Sequence, residues 1–248
     1  GFMGQFSLGH VGFMAVGAYT SALVTKALVQ AGVPYTGLPG YAMFIAAVLV
    51  GALTAGLFGL MVSVPALRLR GDYLAIITLG FGEIIRVIIQ NIPIAGGKGL
   101  AAGQAGQPLI GIKNFSNMNV IVGLTIVCVA LMYAFVRSKY GRAIKAIRDD
   151  EIASEAAGIN TTYYKVLAFT VSAFFAGVAG AVFAHRGLGT LQTSDFTFVK
   201  STEYVLMVVL GGMGSLTGSI ISAVVLSILP EALRAFAQYR MLIYAFLL

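Results

Sequence analysis

Apolar residues run along the chain in six long blocks, Leu8 to Val29, Tyr41 to Val64, Tyr73 to Ile92, Met118 to Val136, Tyr164 to His185 and Tyr204 to Leu229. Each is long enough to cross a bilayer as a helix, which takes roughly 20 residues. None alternates apolar and polar positions with period 2, as a barrel strand would, and lipid admits only helices or closed barrels. The pattern predicts an all-α, polytopic integral membrane protein with about six complete transmembrane helices. A seventh starts near Met241 and is cut short by Leu248. Two further features agree with these boundaries. Pro34, Pro39, Pro65, Pro93, Pro108 and Pro230 fall at or outside block ends, where a missing N–H does least harm. The chain has no Trp, so Tyr must form the interfacial belt, and Tyr41, Tyr73, Tyr140, Tyr163, Tyr164, Tyr204 and Tyr239 lie at or near block ends.

Composition narrows the class. Of 248 residues, 58% are hydrophobic and 10% charged, and the mean hydropathy is +0.92. A typical soluble domain has about 25% charged residues, so this chain cannot build a polar shell. An ordinary soluble enzyme, a disordered protein and a nucleic-acid binder are excluded. The net charge of +7 reads as a topology signal rather than as a nucleic-acid surface. The single Cys128 excludes a disulfide scaffold and a Cys-based zinc site; in its apolar run it reads as a small core residue. Two histidines, His10 and His185, are too few for a His-rich metal centre. The chain opens inside an apolar, Gly-rich stretch, so both ends are expected to be cut from a longer protein.

Lysine and arginine set the orientation. One set of alternate loops carries Arg68, Arg70, Arg137, Lys139, Arg142, Lys145, Arg148, Arg234 and Arg240, with Lys165 just inside the next block. The other carries Lys98, Lys113, Lys200 and the border residue Arg186, an asymmetry of 10 to 4 that makes the first set cytoplasmic. Within it, residues 137–162 are too polar to cross. Basic residues recur every third position from Lys139 to Arg148, apolar Ile144, Ile147, Ala153, Ala156 and Ala157 interleave, and Asp149, Asp150, Glu151 and Glu155 follow. Gly158 can stop this helix, and Asn160 or Thr161 can cap the next. The segment reads either as a solvated connector held near anionic membrane lipid by its basic turn, or as a docking element for a cytoplasmic partner.

Nothing in the chain reads as a catalytic centre. Lys98 lies in Gly96-Gly97-Lys98-Gly99 without the spacing of a phosphate-binding loop, so the chain is not expected to hydrolyse ATP. No nucleophile and base pair is apparent. The unusual residues are polar groups within the blocks. Glu83 and Arg86 stand mid-block, three apart and so on one helical face. Isolated, each would cost on the order of 3 kcal/mol near the bilayer centre. They form a structural ion pair or belong to a transport pathway, together with Ser7 and His10 near the start of the first block. Glycine is the second signal, with 31 residues. Ala52, Gly56, Ala173, Gly177, Ala181, Gly214 and Gly218 show the four-residue spacing that lets helices approach closely. Gly211, Gly212 and Gly214 are candidates for a helix break, tolerated in a membrane where the backbone faces protein or a cavity.

The chain resembles the permease subunits of bacterial branched-chain amino acid ABC importers, and among their two permeases the M-type. The resemblance runs through FSLGHVGFMAVGAYTSAL at 6–23, YLAIITLGFGEIIRVI at 73–88, GRAIKAIRDDEIASEAAGIN at 141–160 and VLMVVLGGMGSLTGSIISAVVL at 205–226. It implies one transmembrane permease domain over residues 1–248. It also implies that the 137–162 segment is an EAA-type coupling helix, with Ala153, Glu155, Ala156, Ala157 and Gly158 at the ATPase contact. The implied partners are a second permease, two ATP-binding subunits that carry the ATP and Mg, and a periplasmic substrate-binding protein, all at the inner membrane. The chain itself needs no cofactor. Permeases for urea and short amides are similar enough to remain an alternative, and a secondary transporter with Glu83 as its proton site is another. Lys98 stands in a Gly-rich external loop, 93–117, where the family carries small polar or acidic residues.

Overall fold

The computed structural model describes residues 2–4, 7–34, 37–67, 72–92, 109–110, 112, 117–186 and 190–232. The loop around Lys98, Arg68, Arg70, Arg234, Arg240 and the seventh apolar stretch lie outside the described residues. Nine helices are described: α1 (His10–Gln30), α2 (Gly37–Ala66), α3 (Asp72–Asn91), α4 (Met118–Arg137), α5 (Lys139–Asp149), α6 (Glu151–Ala156), α7 (Thr161–Ala184), α8 (Phe198–Leu210) and α9 (Leu216–Ala232). Two short strands, β1 (Leu109–Ile110) and β2 (Thr190–Leu191), pair antiparallel, Leu109 opposite Leu191.

Five of these helices are long and apolar enough to cross a membrane: α1, α2, α3, α4 and α7. The sixth apolar block, Tyr204 to Leu229, is not one rod. It is divided between α8 and α9, because Gly212 and Gly214 both take φ of 90°, a conformation that ends a helix and that side chains with a Cβ disfavour. The division falls at Gly211, Gly212 and Gly214, the glycines that the sequence offers as candidates for a break. Pro39 and Pro65 also sit inside α2 rather than beyond it; Pro39 lies in the first turn, where a missing N–H has no ladder partner to lose, and Pro65 lies one residue from the end.

The core forms around α1. Its membrane-length window is 61% buried, against 0% for α4, so α1 is central and α4 peripheral. α7 and α2 pack against α1 and each other, with α3 on a further side. Three glycines make this possible. A Cβ on Gly17 would collide with the backbone of Gly177, and one on Gly51 would stand 2.7 Å from the Gly17 carbonyl oxygen. One on Gly177 would meet the Gly51 carbonyl oxygen at 2.9 Å. Three helices therefore cross backbone to backbone at one point. Further along, α1 and α3 meet at Gly12 and Gly82 in the same way. Lipid tails are as apolar as leucine, so close packing of this kind, with interhelical hydrogen bonds, supplies the cohesion. Thr20 on α1 and Thr54 on α2 bond at 3.0 Å, and Thr25 on α1 bonds His185 after α7 at 3.0 Å. Cys128 of α4 is partly buried against the α2–α7 cluster, beside Val120 and Leu124.

At the end of α1 near Gln30, β1 and β2 close the bundle. Leu109, Ile112, Leu191 and Phe196 join Val11, Ala15 and Tyr19 in one apolar cluster. At the opposite end lie the start of α1, the amphipathic α5 and the turn between α8 and α9.

Replacing Gly177 by Val forces three helices apart and should cost at least the roughly 1–3 kcal/mol of an overpacked core. Gly123→Val on α4, where nothing stands within 4 Å, serves as the matched control. Thermal unfolding in detergent should show a large loss for the first and little change for the second; equal behaviour would remove the three-helix crossing as the source of stability.

Candidate functional site

A cavity of about 490 Å³ opens between the start of α1, the ends of α4 and α5, α7, α8 and the α8–α9 turn. Its walls are apolar, including Phe135, Phe169, Phe175 and Val208, and none of the described lining residues is charged. Its polar residues carry an imidazole and hydroxyls: His10, Ser7, Ser172, Ser201, Tyr204, Ser215 and Ser219. They are set by the backbone around the α1 start. His10 Nδ1 lies 3.2 Å from the Ser7 carbonyl, and Nε2 lies 2.7 Å from Ser172 Oγ on α7. A neutral ring with its proton on Nδ1 satisfies both, donating to the carbonyl and accepting from the serine hydroxyl. Ser7 Oγ is buried and has no hydrogen-bond partner among the described residues. Ser201 of α8 donates to the Leu8 carbonyl, and the Leu8 N–H donates to Thr78 Oγ1 of α3 at 3.2 Å. One short stretch, residues 7–10, thus ties α3, α7 and α8 together at the cavity.

Glu83 and Arg86 lie elsewhere. Arg86 Nε donates to Glu83 Oε2 at 2.7 Å along one face of α3, with about a quarter of each side chain exposed. The other carboxylate oxygen, Oε1, accepts the backbone N–H of Phe198 at 3.1 Å. Glu83 therefore joins mid-α3 to the N-terminus of α8. Neither Glu83 nor Arg86 lines the cavity, whereas Ser7 and His10 do.

The residues at 153–158 are arranged differently again. Asp150 separates α5 from α6 and caps the second, its side chain accepting the Ala153 N–H at 2.9 Å. α6 is fastened to the start of α7 by Lys165 to Glu151 at 2.6 Å and by the Thr161 hydroxyl to Glu155 at 2.7 Å. Its other face is bare: Ala153, Glu155, Ala156, Ala157 and Gly158 are exposed, and Ile152 is 80% exposed. Gly158, at φ 82°, ends α6 with the Ile159 N–H donating to the Ser154 carbonyl. Gly211, Gly212 and Gly214 lie at the junction of α8 and α9, where Gly211 and Gly218 touch through their backbones. Sequence reasoning did not find Ser172 or Ser201. They bond to residues 162 and 193 positions away, and a serine in an apolar block carries no mark of its partner.

All 248 residues match the family described as branched-chain amino acid transport system, permease component. The chain is 38% identical to the high-affinity branched-chain amino acid transport system permease protein LivM of Salmonella typhimurium and 37% to LivM of Escherichia coli, over 98% of this chain. It spans 60% of the length of each of these relatives. With LivH of Escherichia coli, identity is 28% over 94% of the chain and 77% of that protein. No solved structure matches. The chain belongs to the branched-chain amino acid transport permease family and is a multi-pass membrane protein.

The ion pair on α3 makes a specific prediction. Arg86→Met strands the Glu83 carboxylate and should lower folded yield. The double change Glu83→Gln with Arg86→Met keeps an acceptor for Phe198 and should recover part of the loss. The penalty stays below the roughly 3–5 kcal/mol of a fully buried pair, because both side chains are partly exposed. Additive losses in detergent-solubilised yield would contradict an interacting pair.

Proposed function

We propose that this chain is the membrane-spanning permease of an ATP-driven importer that carries branched-chain amino acids across a bacterial inner membrane. It would act with a second permease, two ATP-binding subunits that hold ATP and Mg, and a periplasmic substrate-binding protein. The observation that carries this reading is the bare face of α6. Six residues form a helix that buries only Ser154, is held from behind by Lys165 and Thr161, and presents Ile152, Ala153, Ala156 and Ala157 outward. Small side chains let a helix enter a groove, and an exposed isoleucine beside them supplies an anchor. The bundle gains little from this face, which suits a contact with another subunit. The uncharged, apolar cavity fits a small solute with an aliphatic side chain, its hydroxyls offering weak bonds that do not trap it. A proton-coupled reading has less support, since Glu83 is engaged by Arg86 and by Phe198 N–H and stands outside the cavity.

Ala156→Arg tests the contact without disturbing the fold, because the side chain is exposed. Membrane insertion and pairing with the second permease should be unchanged, while ATPase copurification and uptake fall about tenfold or more, as for an interface anchor. Gly158→Arg should lose uptake too, but it adds about 1–2 kcal/mol of backbone strain at a left-handed position. Normal uptake by Ala156→Arg with ATPases bound would reduce α6 to a connector.

A further inference from the structure

Both ends of α8 meet charges that belong to other elements. At its N-terminus the Phe198 N–H donates to Glu83 of α3 at 3.1 Å. Beyond its C-terminus the guanidinium of Arg148, from the last turn of α5, lies against the glycine turn: a Cβ on Gly214 would stand 3.0 Å from Nη1. The same side chain packs on Gly4, where a Cβ would stand 2.7 Å from its Cγ. A carboxylate at the start of a helix complements the helix dipole, an effect confined to the terminal turns. The lack of a side chain at Gly214 admits the guanidinium. Between these two ends α8 presents Ser201, Val205 and Val208 to the cavity.

We propose that Arg148 is the positioning residue through which the α5–α6 segment sets the tilt of α8, and with it the opening of the cavity wall. This rests on the reading of α6 as the ATPase contact. Asp150 ends α5 and caps α6, so a displacement of α6 reaches Arg148 within two residues. Thirteen residues make α8 a rod about 20 Å long. Glu83 pins one end, and at the other Gly211 packs on Gly218 of α9, so a push at Arg148 turns α8 and α9 together about Glu83. Arg148 also bonds Asp149 beside it at 2.9 Å, and loss of that pair is the competing cause of any Arg148 phenotype.

The test uses the complete importer in proteoliposomes, with Arg148→Ala, Arg148→Lys and Asp149→Ala. The readouts are ATPase copurification, solute transported per ATP hydrolysed, and the nucleotide-dependent distance between spin labels at Val208 and Val136 in a Cys128→Ser background. Arg148→Ala should retain its ATPases yet lose at least fivefold in transport per ATP, the lower range of a coupling energy between sites, and its label distance should no longer respond to nucleotide. Arg148→Lys should keep part of both, and Asp149→Ala should keep both. Full coupling in Arg148→Ala overturns the proposal, as does the same defect in Asp149→Ala. Loss of ATPase binding or of folded yield in Arg148→Ala also overturns it, by placing the residue in the docking surface or the fold. If the unmodified importer fails to couple ATP to transport, the failure lies with the proposed function instead.

Discussion

The structure depends on a single crossing, where α1, α2 and α7 meet at Gly17, Gly51 and Gly177 with no side chain between their backbones. In water, burial of apolar surface would supply most of the cohesion between such helices. Between lipid tails that drive is absent, and cohesion comes from close contact and from hydroxyl bonds made across it. The crossing fixes α1 at the centre. It thereby fixes His10 and the stretch before it, on which the cavity is built.

From that frame outward the packing loosens in a definite order. α1, α2 and α7 share their glycine contacts, α3 joins through Gly12 and Gly82, and α4 contributes no fully buried residue. α8 packs on α9 through Gly211 and Gly218, and is tied to the rest of the bundle largely by points: Glu83 at one end, the Leu8 carbonyl along its side, and Arg148 at the glycine turn. A transporter needs both kinds of element. Rigid helices keep the cavity shaped, and an element retained by a few polar contacts can change its angle at modest cost. The wide exposed apolar faces of α2, α3 and α4 are what lipid and neighbouring subunits would cover.

Much of this was legible in the residues. Block length alone located the five crossing helices to within a few positions, because an uninterrupted apolar run has one stable form in lipid. The basic residues at every third position marked α5 as a surface helix. The division of the sixth block was not legible in length or hydropathy; the three glycines at 211, 212 and 214 offered it as a candidate, and Gly212 and Gly214 take the left-handed conformations there. The glycine spacing in α7 pointed to close packing at Gly177, but Gly17 and Gly51 are its partners only in three dimensions. Likewise Glu83 and Arg86 could be paired from their spacing on one helix, whereas the bond from Phe198 to Glu83 joins positions 115 apart. Arg148 looked like one more basic residue on a solvated face until the turn at Gly214 was placed beside it.

The central claim is that ATP hydrolysed on partner subunits drives a branched-chain amino acid through this chain. Uptake of labelled leucine into vesicles that contain the complete importer and its binding protein tests it most directly. With ATP and Mg on the side where the ATPases sit, uptake should proceed whether or not ionophores have collapsed the ion gradients. Uptake that an imposed proton or sodium gradient drives without ATP, and that ionophores abolish, would contradict it.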